Sequence, residues 1–273
     1  MVEAARSGFE GRLRAEIEGD VLFDAFSRGR YATDASHYQM APLGVVVPKT
    51  VEAALRAFAL AREEGVPVTA RGGGTSQCGQ TINRGLVIDG SKHLRRILSL
   101  DVENKRCVVE PGIVLDELNR RLKPHGLWFP VDISTASRAT IGGMAGNNSC
   151  GGRSLRFGTT RDNVLSIQAV LADGASAHFG EILSDLSDVH DSRVRPLAER
   201  LMAIGARQAA EVAERFPKVQ RRRSARIGNR MTRGNSLSTP PSRFSTSSGT
   251  SPGHPLCQGG PRLNICLDAS DLE

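Results

Sequence analysis

Two glycine-rich runs constrain this 273-residue chain more than any other feature. The first, Arg71-Gly72-Gly73-Gly74-Thr75-Ser76-Gln77-Cys78-Gly79-Gln80, follows a short stretch, 67–70, that reads as a strand. In the second, residues 130–158, Gly142, Gly143, Gly146, Gly151 and Gly152 fall within eleven positions. A residue without a Cβ lets the backbone come close to something else, so clusters of this kind mark close approach rather than flexible linker. Consecutive glycines also let several N–H groups converge on one anion, and Thr75 and Ser76 add hydroxyl donors. Two familiar phosphate loops do not fit. G-x-G-x-x-G would require glycine at Gln77, and the Walker A spacing from Gly74 to Thr81 has Gln80 where its lysine belongs. Taken alone, the first run also reads as a tight surface turn.

The second run interleaves Thr140, Asn147, Asn148 and Ser149 among its glycines and contains no lysine; its three arginines lie at or outside the glycine cluster. A long, mostly neutral, amide-rich surface suits a large ligand with a polar aromatic head better than a bare phosphate. A loop-rich surface for a protein partner is the alternative.

Between these runs the pattern mixes helices and strands. Phe9, Leu13 and Ile17 recur at helical spacing over 9–19, with Ser7 and Glu10 at capping-box spacing. Strands are expected at 44–48, 67–70, 86–89, 97–101 and 106–110, and Thr50 caps a helix with Val51, Leu55 and Phe58 inward. Leu115, Leu118 and Leu122 mark another helix, and Asp173-Gly174 joins two strands of a hairpin. A last helix from Pro196 turns Leu197, Leu201, Ile204 and Val212 inward. The rhythm is not strictly βαβ, and an α+β fold of two lobes follows.

The formal charge of +7 is not spread evenly. Residues 218–273 hold nine Lys/Arg against three Asp/Glu, whereas residues 1–217 hold 27 against 26. The folded part is nearly neutral, which argues against a nucleic-acid partner. Gly, Ser, Thr and Pro make up 24 of the last 56 residues, without periodicity, so that segment reads as disordered. Five cysteines without a C-x-x-C pair argue against a disulfide framework, a zinc finger or an iron–sulfur cluster in this chain. No apolar run reaches the ~20 residues of a membrane span, and the acidic N-terminus is no secretory signal.

The pairing of RGGGTS with ATIGGMAGNNSCGG and a later FG, followed by VLSIQAVLADG, resembles the FAD-linked oxidases with a vanillyl-alcohol-oxidase/p-cresol-methylhydroxylase (PCMH) type of FAD domain. The branch it is most similar to is that of the D-lactate, glycolate and D-2-hydroxyglutarate dehydrogenases, and the likeness runs from about Tyr31 to Arg221. It implies an N-terminal helical segment (1–34), a two-subdomain FAD domain (35–220) and a disordered or frameshifted tail (221–273). Arg71, Gly72, Gly73, Gly74, Thr75, Ser76, Gly79 and Gln80 would hold the pyrophosphate. Pro130, Asp132, Ser137, Thr140, Gly142, Gly143, Ala145, Asn147, Asn148, Gly151, Gly152 and Gly158 would line the flavin and its ribityl chain. Relatives that bond FAD through histidine often carry it beside the triple glycine; Thr75 stands there, so the expected FAD is non-covalent. The family passes a hydride from a 2-hydroxy acid to flavin N5, then electrons to an acceptor protein, an iron–sulfur subunit or a quinone. It implies no metal in this chain and a place in the cytoplasm or at the surface of the inner membrane. The substrate-oxidising cap of the family has no counterpart here, so no catalytic residue is carried over. The expectation is an incomplete or frameshifted gene product, inactive alone, with two alternatives: an FAD-binding subunit served by a separate cap chain, or a fragment that no longer holds FAD.

Overall fold

The computed structural model describes residues 2–180, 182–183, 185–216, 264–268 and 270–271. The first lobe contains α1 (Val2–Glu16), β1 (Gly19–Leu22), α2 (Ala25–Arg30), β2 (Gly44–Pro48), α3 (Val51–Glu63), β3 (Val68–Arg71) and β4 (Leu86–Asp89). Its sheet runs β1-β2-β4-β3, with β2, β4 and β3 parallel and β1 antiparallel at the edge. The parallel crossover is made by α3, whose start is fixed by the Thr50 hydroxyl accepting from Ala53 N at 3.1 Å. Phe9, Leu13 and Ile17 meet Val46, Leu86 and the Ala57–Leu60 face of α3 in one core, as their spacing requires. Two details differ. Helix α1 begins at Val2, so Ser7 lies inside it and caps nothing. Helix α3 buries Ala53, Ala57, Leu60 and Ala61, while Leu55 and Phe58 are only half-buried. Small alanines let the helix sit close on the sheet, so the larger side chains move to its flanks.

The second lobe begins with β5 (Ile97–Asp101), β6 (Arg106–Val109), α4 (Leu115–Leu122) and β7 (Leu127–Trp128). There follow α5 (Ile141–Asn147), the short α6 (Ser154–Phe157) and α7 (Thr160–Asn163), then β8 (Val164–Val170) and β9 (Ser176–Phe179). Last come α8 (Val194–Arg207), α9 (Ala209–Arg215), β10 (Asn264–Asp268) and β11 (Ser270–Asp271). The hairpin of β8 and β9 turns at Gly174 with φ +85°, and α4 buries Leu115, Leu118 and Leu122 completely, both as read from the sequence. Its five-stranded sheet runs β5-β6-β10-β8-β9, every neighbour antiparallel. One face of that sheet packs on α4 and α5 through Cys107, Val109, Ile167, Ile265 and Leu267.

Strand β10 corrects the expectation that the whole C-terminal segment packs against nothing. It occupies the centre of the sheet, between β6 and β8, with Ile265 and Leu267 buried in the largest core. Two strands from distant parts of the chain leave a gap one strand wide, and the alternation Ile265-Cys266-Leu267 fits it. Strand β11 then pairs with β7. Residues 221–263 of that segment lie outside the described residues.

A second correction concerns α8. It faces β9 and residues 186–189 with Val194, Ala198 and Met202, while Leu201 and Ile204 are 43% and 44% exposed. Leu197 and Val212 are exposed as well. At about 100° per residue, Leu197, Leu201 and Ile204 form a stripe beside the buried one. The apolar arc of this helix is wider than its contact, so periodicity alone does not select which edge faces the sheet. Among the described residues no helix is long and apolar enough to cross a membrane.

Candidate FAD site

The two glycine-rich runs meet. A Cβ on Gly72 would stand 2.1 Å from Thr140 Oγ1, and one on Gly73 would stand 2.2 Å from the Arg138 carbonyl oxygen. Both distances are far inside van der Waals contact, so the loop after β3 lies directly on the segment that leads into α5. That segment is itself anchored on the turn after β6. Ile141 N donates to Ile113 O at 2.9 Å, Gly142 N to Pro111 O at 2.8 Å, and Leu115 N to Ala139 O at 3.1 Å. Gly112 in turn packs on the Gly90 carbonyl, where a Cβ would come within 2.0 Å. The residues between 110 and 116 thus join the first lobe to the approach of α5.

The first loop leaves its donors free. Among the described residues the amides of Gly73, Gly74, Thr75, Ser76 and Gln77 donate to no protein acceptor. Gly74 and Gly79 hold φ at +64° and +75°, conformations that suit residues without a Cβ. Gly73, Gln77 and Gln80 are exposed, and Thr75 and Ser76 half-exposed. An array of neighbouring free N–H groups with two hydroxyls beside it offers an anion a set of donors.

Helix α5 supplies the second wall. Its N-terminus does not act as a free anion site, because Ile141 to Met144 donate to Ile113 O, Pro111 O, Thr140 Oγ1 and Thr140 O. Three of its seven residues are glycine, each costing about 1 kcal/mol of helix propensity relative to alanine. Gly142 is explained by Pro111, whose Cβ would be 2.7 Å from its own. Gly143 and Gly146 are not explained by internal packing: a Cβ on Gly146 would touch nothing within 4 Å, and one on Gly143 only Thr140 Oγ1 at 3.3 Å. Both are exposed, with Asn147, on one face of the helix. A helix stripped of side chains along an open face is shaped for a flat ligand lying against it. Gly146 was counted in the glycine cluster but not among the residues expected to line the flavin; its openness is visible only once α5 is placed.

The remaining residues divide by what they touch. Arg71, half-buried, lies against Gly74 and donates from its guanidinium to the carbonyls of Tyr31, Thr33 and Thr81. Thr140 is buried and caps α5. Asn148, buried at φ +47°, accepts from Arg161 N at 2.9 Å and ties the end of α5 to α7. Gly151 is pressed on Asp132, whose carbonyl would be 1.7 Å from an added Cβ, and Arg153 N donates to the Asp132 carboxylate. Gly158, at φ +81°, begins the turn capped by Thr159 and Asp162. Pro130 is buried and Ala145 half-buried, while Ser137 and Gly152 lie on the surface.

Charge within the site is low. Asp34, next to the first loop, is held below the usual carboxylate range: partial burial opposes ionisation, but donors from Ser36 and Thr81 outweigh it. The Tyr31 phenol is pushed up by burial and by its hydrogen bond to Asp89, and stays neutral.

Comparison with known proteins agrees with this geometry. A protein family described as "FAD binding domain" matches residues 42–180, half of the chain and the stretch containing both loops. The D-2-hydroxyglutarate dehydrogenase of Pseudomonas putida is 36% identical over 227 residues, covering 81% of this chain and 22% of that protein. The glycolate oxidase subunit GlcD of Bacillus subtilis is 36% identical over 163 residues, covering 58% of this chain and 35% of that subunit. The chain therefore spans about a fifth to a third of the length of these relatives. Among solved structures, an alkyldihydroxyacetonephosphate synthase superposes with a TM-score of 0.57 at 22% identity, over 64% of this chain and 35% of that one. This likeness speaks for the fold alone, a PCMH-type FAD-binding domain. Free loop amides, a bare helix face and the family match coincide, and the chain belongs to the FAD-binding-domain family of FAD-linked oxidoreductases.

Proposed function

We propose that this chain binds FAD without covalent linkage, with the amides of Gly73 to Gln77 on the pyrophosphate and the Gly143–Gly146 face of α5 against the flavin end. The single observation that carries the reading is the contact between the two loops. It sets a row of free donors beside a helix face that no side chain covers. The donors neutralise an anion without a lysine or arginine, which suits a diphosphate that is bound rather than transferred. Thr75 and Ser76 place hydroxyls at the same rim, and Asn147 offers a side-chain amide at the end of the bare face.

FAD, when bound, supplies an acceptor for a hydride, that is, for two electrons and one proton. The substrate class we propose is a 2-hydroxy acid, on the strength of relatives named D-2-hydroxyglutarate dehydrogenase and glycolate oxidase subunit. Because the chain spans only part of their length, oxidation of the hydroxy acid is proposed for an assembly that includes the remainder, either in one polypeptide or as a separate chain. We assign the chain's own residues to binding and orientation, and none to proton transfer.

The cofactor's linkage is testable directly. Acid precipitation of the flavin-loaded protein is expected to release a yellow supernatant with the mass of FAD, since Thr75 offers no imidazole for a bond. Flavin that stays with the precipitated polypeptide would contradict this. A second expectation follows from the assignment of residues: the 273-residue chain, loaded with FAD and kept anaerobic, does not bleach on addition of D-lactate, glycolate or D-2-hydroxyglutarate. Bleaching by any of them would place substrate oxidation within this chain.

A further inference from the structure

The first glycine loop is held from outside by one segment of the chain, residues 31–38, which lies more than thirty positions earlier in the sequence. Arg71, at the loop's entry, donates to Thr33 O at 2.8 Å and to Tyr31 O at 3.3 Å, with its guanidinium 5.3 Å from the centre of the Tyr31 ring. The same guanidinium reaches Thr81 O, at the loop's exit, at 3.4 Å. In the middle, Ala35 N donates to Gly74 O at 3.1 Å. Near the exit the Tyr38 ring covers Gly79, where a Cβ would be 2.9 Å from it. The Asp34 carboxylate accepts from Thr81 Oγ1 at 3.0 Å and from Ser36 N at 2.8 Å, fixing its own segment and the loop together. The segment is tied to the sheet as well, since the Tyr31 hydroxyl donates to Asp89 at 2.7 Å on β4.

We propose that residues 31–38 are a strap that sets the loop's amides in the binding conformation before the cofactor arrives, with Arg71, Asp34 and Thr81 as its positioning residues. The inference rests on reading residues 72–80 as the pyrophosphate site. Three successive glycines have the most conformational freedom to lose on ordering. A loop already ordered in the free protein does not charge that loss against binding, so the strap's contacts reappear as affinity. At Gly74 the carbonyl accepts from the strap while the N–H stays free. Arg71 acts here as a brace, its guanidinium joining three carbonyls on both sides of the loop.

The test uses Thr81, whose hydroxyl touches the strap and whose shape valine nearly copies. Thr81→Val is expected to bind FAD about tenfold more weakly, as befits one lost hydrogen bond to a carboxylate. Thr81→Ser, which keeps the hydroxyl, is expected to bind within about twofold of the unchanged chain. Hydrogen exchange of the cofactor-free proteins gives a second readout. In Thr81→Val the amide of Ala35, which donates to the Gly74 carbonyl, should exchange faster, while those of β4 keep their protection. Unchanged Ala35 exchange in Thr81→Val overturns the proposal. So does an affinity loss that serine fails to restore or that comes with exposure of β4, either of which marks a merely structural role. If the unchanged chain takes up no FAD, the reading of the site fails instead, and Ala35 exchange alone then decides for or against the strap.

Discussion

Removing residues 264–273 is expected to prevent the second lobe from folding, and Leu267→Ala alone to destabilise the chain by about 2–5 kcal/mol. Strand β10 is bonded on both sides, to β6 and to β8, and its loss would open two new edges in the middle of the sheet. Leu267 is fully buried and Ile265 nearly so, in the same core as Leu115, Leu118, Phe129 and Met144. A cavity there cannot collapse easily, because α4 and α5 hold it from one side and both flanking strands from the other. Against a total stability of ~5–15 kcal/mol for a typical domain, the upper end of that cost consumes much of the margin. Thermal unfolding should show Leu267→Ala lowered by roughly 5–15 °C. The outward Cys266, half-buried, is the control, and Cys266→Ser should shift the midpoint far less. A truncated chain that melts like the intact one would show that β10 contributes nothing to the lobe.

The second large effect is expected at Gly73. Gly73→Val should abolish FAD uptake, and the reason lies inside the protein. The added Cβ would sit 2.2 Å from the Arg138 carbonyl oxygen, so the side chain pushes the loop off the approach to α5 before any ligand is present. Backbone that must shift by an ångström or more carries the free amides with it, and their convergence on one anion is lost. The fold should survive, since overpacking of this kind costs ~1–3 kcal/mol and the site lies at the surface. A folded Gly73→Val protein that retains FAD through gel filtration would contradict the account.

The loop result bears on what the sequence made legible. The spacing of Gly72–Gly74 and Gly142–Gly152 marked the two runs that the fold brings together, because repeated absence of a Cβ signals close approach. What each glycine avoids could not be read from it. Gly72, Gly73, Gly142 and Gly151 avoid other parts of the chain, at Thr140, Arg138, Pro111 and Asp132, whereas Gly143 and Gly146 face open space. A glycine beside a ligand and a glycine beside another loop are written alike, and only the tertiary arrangement separates them. Asn147 and Asn148 make the same point: adjacent and chemically identical, one is exposed and the other buried against α7. Strands 86–89 and 106–109 and helix α4 were legible because their burial pattern is strong over a short stretch. Strand β10 was not. It comprises five residues beyond a long polar, charged stretch, and its identity depends on a gap between β6 and β8 that is created elsewhere. The exposed stripe of α8 was missed for a related reason: its pattern marks an apolar arc, and the contact with β9 uses only one edge of it.

The measurement that bears most directly on the central claim is FAD titration of Gly146→Phe beside the unchanged chain. Position 146 meets nothing within 4 Å, so a side chain there should leave the fold intact and, by removing a helical glycine, hold or slightly raise the thermal midpoint. A phenyl ring on that face would occupy the space assigned to the flavin end of the cofactor. The account predicts saturable, one-to-one FAD binding by the unchanged chain and none by Gly146→Phe at an equal or higher midpoint. Equal FAD affinity in the two proteins, or a folded unchanged chain that takes up no FAD, would contradict it.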